Sequence, residues 1–197
     1  SGIGNLSSLI QLDLNNNDLS SLPSEIRNLT NLEKLYLYNN DLSSLPSGIG
    51  DLLNLKELYL QNNNLINLPE TITELNNLTY LDLRNNQFLE IPNIQSLNQL
   101  STLKLYGNNL SGIIPYWIGN LTNLTYLDLS YNQLIGEIPP EIGNLTNLTV
   151  LSLRDNQLIG EIPPEIGNLI NLSDLKLNHN QLTGNIPEVI GSLIYLT

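Results

Sequence analysis

The stretch Leu127-Asp128-Leu129-Ser130-Tyr131-Asn132-Gln133-Leu134 decides the fold, because its frame, Leu-x-Leu-x-x-Asn-x-Leu, occurs eight times along the chain. Phe88 replaces the last Leu once. A polar side chain inside an apolar frame is expected to be buried with its hydrogen bonds satisfied. That is possible in every copy only if each turn of the chain stacks on the previous turn in the same way. The frame therefore predicts a structural ladder of asparagines: Asn17, Asn40, Asn63, Asn86, Asn108, Asn132, Asn156 and Asn180.

The repeat divides residues 1–197 into one continuous array, which predicts a single elongated domain. Eight full units begin at Leu6, Leu29, Leu52, Leu75, Leu97, Leu121, Leu145 and Leu169. Partial units occupy residues 1–5 and 193–197. Alternation such as Leu127-Asp128-Leu129 places both leucines on one face of a short strand, and equivalent strands of successive units are expected to pair in parallel.

Two forms of the unit occur, and both resemble the leucine-rich repeat family over essentially the whole chain. Units one to three carry Leu-Pro-x-x-Ile, as at Leu45-Pro46, and unit four is a residue shorter. Units five to eight carry Leu-x-Gly-x-Ile-Pro-x-x-Ile-Gly, as in residues 134–143, which resembles the form found in plant receptor kinases and polygalacturonase inhibitors. The resemblance implies an α/β-class solenoid, a right-handed horseshoe. It has a parallel β-sheet on the concave face and mostly 3₁₀ turns and short extended segments on the convex side.

The charge is unevenly distributed, and its distribution bears on the class of partner. The net charge is −12, and the chain contains no Cys. Six of the seven basic residues lie on or beside the strands, where seven acids nearly balance them. The acidic remainder argues against nucleic acid and against anionic membranes. The apolar runs are too short for membrane insertion, and no cofactor or metal is expected. The chain is expected at an extracellular or cell-surface location, and a cytoplasmic one stays open.

Seven of the nine tyrosines fall on outward strand positions, which form columns across the concave face. Exposed Tyr interleaved with Arg and Lys is typical of interaction hot spots. The other interpretation is that Tyr simply suits strands and packs well against its neighbours. The predicted ligand-binding residues are Tyr36, Tyr38, Tyr59, Tyr80, Arg84, Lys104, Tyr106, Tyr126, Tyr131 and Arg154.

Charges within these columns are expected to be satisfied within the face itself. Asp82, Lys104 and Asp128 alternate in one column, and Lys34 lies beside Glu57 in another. A further column contains Asn16, Asn39, Asn62, Asn85, Gly107, Tyr131, Asp155 and His179. A change at Asn16, outside the repeated frame, is expected to have little effect on stability.

Ser152, Asp155 and His179 lie in adjacent units and are the residue types of a catalytic triad. Ser152 and Asp155 are three residues apart, roughly 10 Å along a strand, which is too far for the contacts that a triad requires. No catalytic residue is therefore predicted. His179 and Asp155 are not expected to bind a metal, because two ligands seldom suffice.

The leading hypothesis is a non-enzymatic scaffold that recognises a protein or peptide through the concave face, as the resemblance implies. Two alternatives remain: a structural or adhesive surface repeat array, and a carbohydrate or cell-wall binder whose tyrosines stack on sugars. Since the terminal units expose the sides of an apolar core, end-to-end self-association is a further expectation.

Overall fold

The computed structural model describes residues 2–197, so Ser1 of the predicted partial unit lies outside the described residues. The eight units each contribute one strand to a parallel sheet, and the strands are ordered in the sheet as they are in the chain. They are β1 (Gln11–Asp13), β2 (Lys34–Tyr36), β3 (Glu57–Tyr59), β4 (Tyr80–Asp82), β5 (Thr102–Lys104), β6 (Tyr126–Asp128), β7 (Val150–Ser152) and, after the further short strand β8 (Ile159–Glu161) outside this sheet, β9 (Asp174–Lys176). The central leucines of neighbouring strands pair in register, for example Leu103 with Leu127. The predicted parallel sheet is therefore confirmed.

The return limbs of the units contain 3₁₀ helices in place of α-helices, as predicted. These helices are η1 (Gly2–Asn5), η2 (Ser24–Asn28), η3 (Ser47–Asp51), η4 (Glu70–Glu74), η5 (Tyr116–Asn120), η6 (Pro140–Asn144), η7 (Pro164–Asn168) and η8 (Glu188–Ser192). From η2 onward each helix follows a proline, as Pro139 in extended conformation precedes η6. Proline is tolerated there because its fixed φ suits the extended conformation, and because the N–H that proline lacks would have no acceptor within the helix. In unit four, residues 90–96 form no 3₁₀ helix.

Short extended segments lie between the asparagine and the proline of the later units. Strand β8 (Ile159–Glu161) pairs in parallel with β10 (Gln181–Thr183). An isolated parallel bridge joins Ile113 to Ile135. We call the chain segments between the frame asparagine and the proline of each unit the flank.

One apolar core runs through the whole stack. The two strand leucines of each central unit are fully buried, as are the isoleucines of the return limbs, such as Ile118, Ile142 and Ile166. At the two ends, Leu12, Leu14, Leu175 and Leu177 are only partly buried, because the stack of strands covers each of them from one side alone. A solenoid core of this kind grows by one layer per unit.

The frame asparagines satisfy backbone groups of two successive turns. Asn63 Nδ2 donates to the carbonyl oxygens of Leu37 at 2.9 Å and Leu60 at 3.1 Å. Asn63 Oδ1 accepts the N–H of Leu42 at 3.0 Å. Asn63 is 7% exposed. Asn17 is exposed, contrary to the expected burial, because its unit contributes the edge strand of the sheet and is covered by a neighbouring unit on one side only.

Candidate ligand-binding face

The outward side chains of the eight-stranded sheet, with the residues between each strand and its frame asparagine, form what we call the strand face. Every second residue of a strand points to this face, while the alternate leucines enter the core. Of the predicted binding residues, Tyr131 is exposed, and the others are half-buried. The face is thus a packed layer of rings and charged groups.

Three tyrosines from adjacent strands form a continuous stack. The rings of Tyr36 and Tyr59 are 4.7 Å apart with an interplanar angle of 21°. The rings of Tyr59 and Tyr80 are 4.6 Å apart and tilted by 32°. The stack crosses from one column to the next because Tyr80 occupies the outward position before that of Tyr59. Tyr38 lies on the face but makes no ring contact of this kind within residues 2–197.

Lys104 continues the stack toward the sixth strand. Its Nζ lies 5.1 Å from the ring centroids of both Tyr80 and Tyr126, and it donates a hydrogen bond of 2.9 Å to the Tyr80 hydroxyl. The ammonium can fill this gap because small Thr102 lies between Tyr80 and Tyr126 in the sheet register. Cation–π contacts with both rings stabilise the position. We call Tyr36, Tyr59, Tyr80, Lys104 and Tyr126 the ring row.

A second aromatic group lies farther along the face. The rings of Tyr106 and Tyr131 meet edge to face at 4.9 Å. The Arg154 guanidinium lies 4.5 Å from the Tyr131 ring and donates to the Tyr131 hydroxyl. Arg154 also forms an ion pair of 3.4 Å with Asp155. We call Tyr106, Tyr131 and Arg154 the ring cluster; it includes three of the predicted binding residues.

The ion pairs of the face differ in part from the expected ones. Lys34 pairs with Glu57 at 2.8 Å, which agrees with the sequence, and hydrogen bonding to Glu57 raises the pKa of Lys34. Asp82, Lys104 and Asp128 are register neighbours as expected, but the expected charge ladder among them is wrong because each carboxylate bonds a different partner. Fully buried Asp82 binds Arg84 through the Nε and Nη2 atoms, whereas Asp128 accepts from Ser130.

The hydrogen bonds that Arg84 donates to the Asp82 carboxylate also raise the pKa of Arg84. Lys104 forms no ion pair with Asp82 or Asp128 among the described residues. It is held by the rings of the row instead.

The phenol of Tyr59 has a raised pKa, so it ionises at higher pH than a free tyrosine does. Burial, then the hydrogen bond of 3.0 Å to Glu57, raises the pKa of its phenol above the ordinary value of 10.0. A raised folded-state pKa contributes stability below pH 10 that is lost as the pH rises through the folded-state value. We expect Tyr59→Phe to remove a tyrosinate transition that lies above pH 10, as followed by ultraviolet absorbance. An unchanged absorbance titration above pH 10 in the variant would contradict this assignment.

A left-handed backbone position precedes every frame asparagine described. The φ angles of Asn16, Asn39, Asn62 and Asn85 lie between 51° and 58°, and Gly107 follows at 68°. The amides of the four asparagines form a second ladder of three bonds, in which Asn39, Asn62 and Asn85 each donate to the amide oxygen of the preceding asparagine. Asn16 therefore accepts a hydrogen bond at the exposed end of this ladder, and the expectation that a change at Asn16 has little effect on stability stays a prediction. The signal was available, since Asn and Gly tolerate positive φ.

Units six to eight place other residues at this left-handed position. Tyr131, Asp155 and His179 have φ angles of 53°, 52° and 57°. His179 Nδ1 lies 2.7 Å from Asp155 Oδ1. Ser152 is buried and makes no hydrogen bond to either residue in the described part of the chain. Ser152, Asp155 and His179 are therefore not assembled as a triad, and no cluster of three His, Cys, Asp or Glu suited to a metal occurs in residues 2–197.

Comparison with known families gives matches along nearly the whole chain. A family model described as a leucine-rich repeat region matches residues 47–133 and 115–197, and a model of two leucine-rich repeats matches residues 7–47. No curated protein matches the chain. Within residues 2–197 no helix has the length and apolar character needed to cross a membrane.

Several solved structures are similar to this chain. The plant peptide hormone receptor RGFR1, in complex with RGF2, is 37% identical with a TM-score of 0.92, over 99% of this chain and 32% of the receptor. The ectodomain of the receptor kinase GASSHO1/SCHENGEN3 from Arabidopsis thaliana, in complex with CASPARIAN STRIP INTEGRITY FACTOR 2, is 42% identical with a TM-score of 0.90. The match covers 98% of this chain and 24% of the ectodomain.

An internalin (inlF) from Listeria monocytogenes is 29% identical with a TM-score of 0.87, and the match covers 99% of this chain and 55% of the internalin. The chain thus spans about a third or less of the two plant receptors and about half of the internalin.

Proposed function

We propose that this chain, which belongs to the leucine-rich repeat family, is a non-enzymatic scaffold that binds a protein or peptide across its strand face. Two similar plant structures were solved in complex with RGF2 and CASPARIAN STRIP INTEGRITY FACTOR 2, and the former is called a peptide hormone receptor. That similarity supports a peptide or protein ligand for this chain. The residues that contact the ligand have to be argued from the strand face itself.

The observation that carries the proposal is the conformation of Tyr131. Tyr131 has a φ of 53° at a position where four other units have Asn and one each has Gly, Asp and His. Asn, Asp and His are the non-glycine residues that adopt this conformation most readily, whereas a bulky Tyr is an outlier. A bulky residue in the left-handed region costs about 1–2 kcal/mol. Tyr131 is nevertheless 42% exposed, so burial in the core does not offset this backbone strain. Backbone strain with an exposed aromatic ring is typical of a site retained for binding.

The ring row and the ring cluster supply the remaining binding surface. Stacked tyrosines lose little side-chain freedom on docking, because their neighbours already hold them in place. The Tyr36–Tyr59–Tyr80 stack is such a surface, with ring separations of 4.6–4.7 Å. Arg84 and Lys104 add hydrogen-bond donors beside this stack, and Arg154 adds donors in the ring cluster. We infer that a ligand lies across units two to six and contacts both groups.

The location and the domain arrangement follow the same reasoning. The similar structures include the ectodomain of a membrane receptor kinase and an internalin. We infer an extracellular or cell-surface location for this chain. We also infer that residues 1–197 act as one solenoid domain of eight repeats, because the parallel sheet continues from β1 to β9 without a break.

Peptide selection against the whole chain, followed by substitution, tests the proposal. We expect Tyr59→Ala and Tyr106→Ala each to weaken a selected peptide by about 2 kcal/mol, roughly 30-fold, because central aromatic residues dominate such interfaces. Glu141→Gln and Glu165→Gln, on η6 and η7, should leave affinity unchanged. Calorimetry gives the affinities and circular dichroism checks the fold.

The same experiment separates the alternatives. If only the changes at Glu141 and Glu165 abolish binding, the strand-face proposal fails and the structural-array hypothesis gains support. A glycan array tests the carbohydrate hypothesis. Strong glycan binding, with no selected peptide that binds the strand face, would favour that function.

A further inference from the structure

A row of exposed aliphatic side chains follows the flank through five successive units. The members are Ile66, Leu89, Ile113, Ile135 and Ile159, with exposed fractions of 57%, 61%, 62%, 46% and 47%. Four of them occupy the third position after the frame asparagine, where Ser20, Ser43, Ser111 and Thr183 stand in the other units. The position thus tolerates small polar residues, so the fold does not require the aliphatic ones. We call these five residues the flank ridge.

The backbone beneath the ridge is already paired. Ile135 N donates to Gly112 O at 3.1 Å, and Ile159 N donates to Gly136 O at 2.9 Å. Ser111 N donates in the same way to Leu89 O at 3.0 Å. An incoming chain therefore finds few free backbone groups, and contact has to be made through side chains.

A groove of about 680 Å³ opens beside the ridge, between units three and four. It is lined by residues of the two flanks, including Ile66, Leu89 and Ile91, and buried Phe88 is among its lining residues. Unit four lacks a 3₁₀ helix at the equivalent place, while η4 borders the groove from unit three. The irregular unit thus creates a depression where a large apolar side chain can enter.

The charge of the flank is of one sign. The segments between frame asparagine and proline contain Asp18, Asp41, Glu90, Glu137 and Glu161, but no Lys, Arg or His. Glu70 adds another carboxylate at the groove. A surface that complements this flank must combine apolar side chains with Lys or Arg on their borders.

The paired backbone of the flank favours a helix over a strand. An added strand needs free backbone groups, whereas a helix satisfies its own backbone hydrogen bonds and makes contact through side chains. The ridge residues are not all register partners: Ile113 pairs with Ile135, but Ile159 pairs with Gln181. A continuous apolar stripe along one face of a helix can follow such a staggered row.

We propose that the flank ridge docks a basic amphipathic helix of another protein, at a site separate from the strand face. The apolar stripe of the helix lies along Ile66 to Ile159, and its Lys and Arg residues face the flank carboxylates. A large side chain of the helix enters the groove between units three and four. The helix binds through side chains, since the flank backbone is internally bonded.

A designed peptide tests this proposal with the whole chain. The probe is an amphipathic helix of about 20 residues, built from Leu, Lys and Gln with one Leu per turn on a single face. A scrambled peptide of equal composition controls for attraction between a cationic peptide and an acidic protein. Fluorescence anisotropy at physiological salt should give at least about tenfold tighter binding of the amphipathic probe.

Substitutions then locate the site. The double variant Leu89→Ser/Ile135→Thr uses residues found at this position in other units, and it should weaken the probe at least about tenfold. Leu53→Ser is the matched control, because Leu53 is 56% exposed but lies outside the ridge; its affinity should match the wild type. Equal binding of the two peptides, or equal loss in the two variants, would overturn the proposal.

The occupant and the independence of the two sites are tested in the same material. Sedimentation of the wild type should show a monomer. A dimer that the double variant abolishes would identify a second copy of the chain as the occupant and overturn the helix proposal. Tyr106→Ala should leave the probe affinity unchanged, and the double variant should leave strand-face binding unchanged, so that failure of one site does not count against the other.

Discussion

Replacing Asn63 with Ala should lower the free energy of unfolding by about 3 kcal/mol. The change removes the amide that donates to Leu37 O and Leu60 O and accepts from Leu42 N. These groups lie at a position that is 7% exposed, where water does not readily replace the lost bonds. Leu42 N is left without a partner, which costs roughly 1–3 kcal/mol. Leu37 O and Leu60 O each lose one bond but still accept from Asn40 and Asn86, and the loss of these two bonds supplies the rest of the expected value.

Asn17→Ala is the matched control, since Asn17 occupies the same frame position at the first described unit. Its amide donates to Leu14 O and Asn15 O, both within its own unit, and its side chain is exposed. Leu14 O also accepts from Asn40, so it keeps a partner. Thermal unfolding should give a fall of about 6–12 °C for Asn63→Ala and almost none for Asn17→Ala. Equal melting temperatures would refute the ladder's energetic role.

The frame predicts the fold because it records a constraint that every unit shares. Each Leu-x-Leu pair has to place both leucines in one core, and each Asn has to bond two turns at once. A constraint repeated with a nearly constant period leaves stacked parallel strands as the outcome. The irregularity of unit four is also visible, as a missing residue and as Phe88 in place of Leu. The groove that this irregularity creates on the flank could not be predicted, because its shape depends on the positions of two adjacent units.

The contacts of the strand face could be predicted only in part. Columns specify which residues are neighbours, so the stack of Tyr36 with Tyr59 and the pair of Lys34 with Glu57 follow from register. Columns do not specify which way a long side chain turns. Asp82 bonds Arg84 along its own strand, and Lys104 turns to the tyrosine rings. Side-chain rotamers decide these competitions, and the repeat does not encode them.

Backbone conformation separates residues kept for folding from residues kept for binding on this face. At the left-handed position, Asn39 and Asn62 serve the fold, because they accept the conformation and bond one another. Tyr131 adopts the same conformation without that advantage. Its contacts with Tyr106 and Arg154 offset part of the strain. The remaining cost is the reason to expect a role in recognition.

Changing Tyr131 to Gly or to Ala should weaken the binding of a strand-face ligand by about 3 kcal/mol. Both variants lose the exposed ring and the contacts by which that ring positions the Arg154 guanidinium. In strands and helices a Gly variant is normally less stable than an Ala variant. At residue 131 we expect the opposite order. Gly accepts a φ of 53° without strain, whereas Ala does not. The Gly variant should therefore be about 1 kcal/mol more stable to unfolding than the Ala variant.

Calorimetry measures ligand affinity and urea unfolding measures stability, each for the wild type and for the Gly and Ala variants of Tyr131. Tyr116→Ala is the control, since Tyr116 is 71% exposed on η5, on the return limb and away from the strand face; it should change neither quantity. If the Ala variant is the more stable of the two, the left-handed conformation of residue 131 carries no strain. If both Tyr131 variants also bind as the wild type does, the ring is a structural neighbour of Tyr106, and the ligand site has to be sought elsewhere on the molecule.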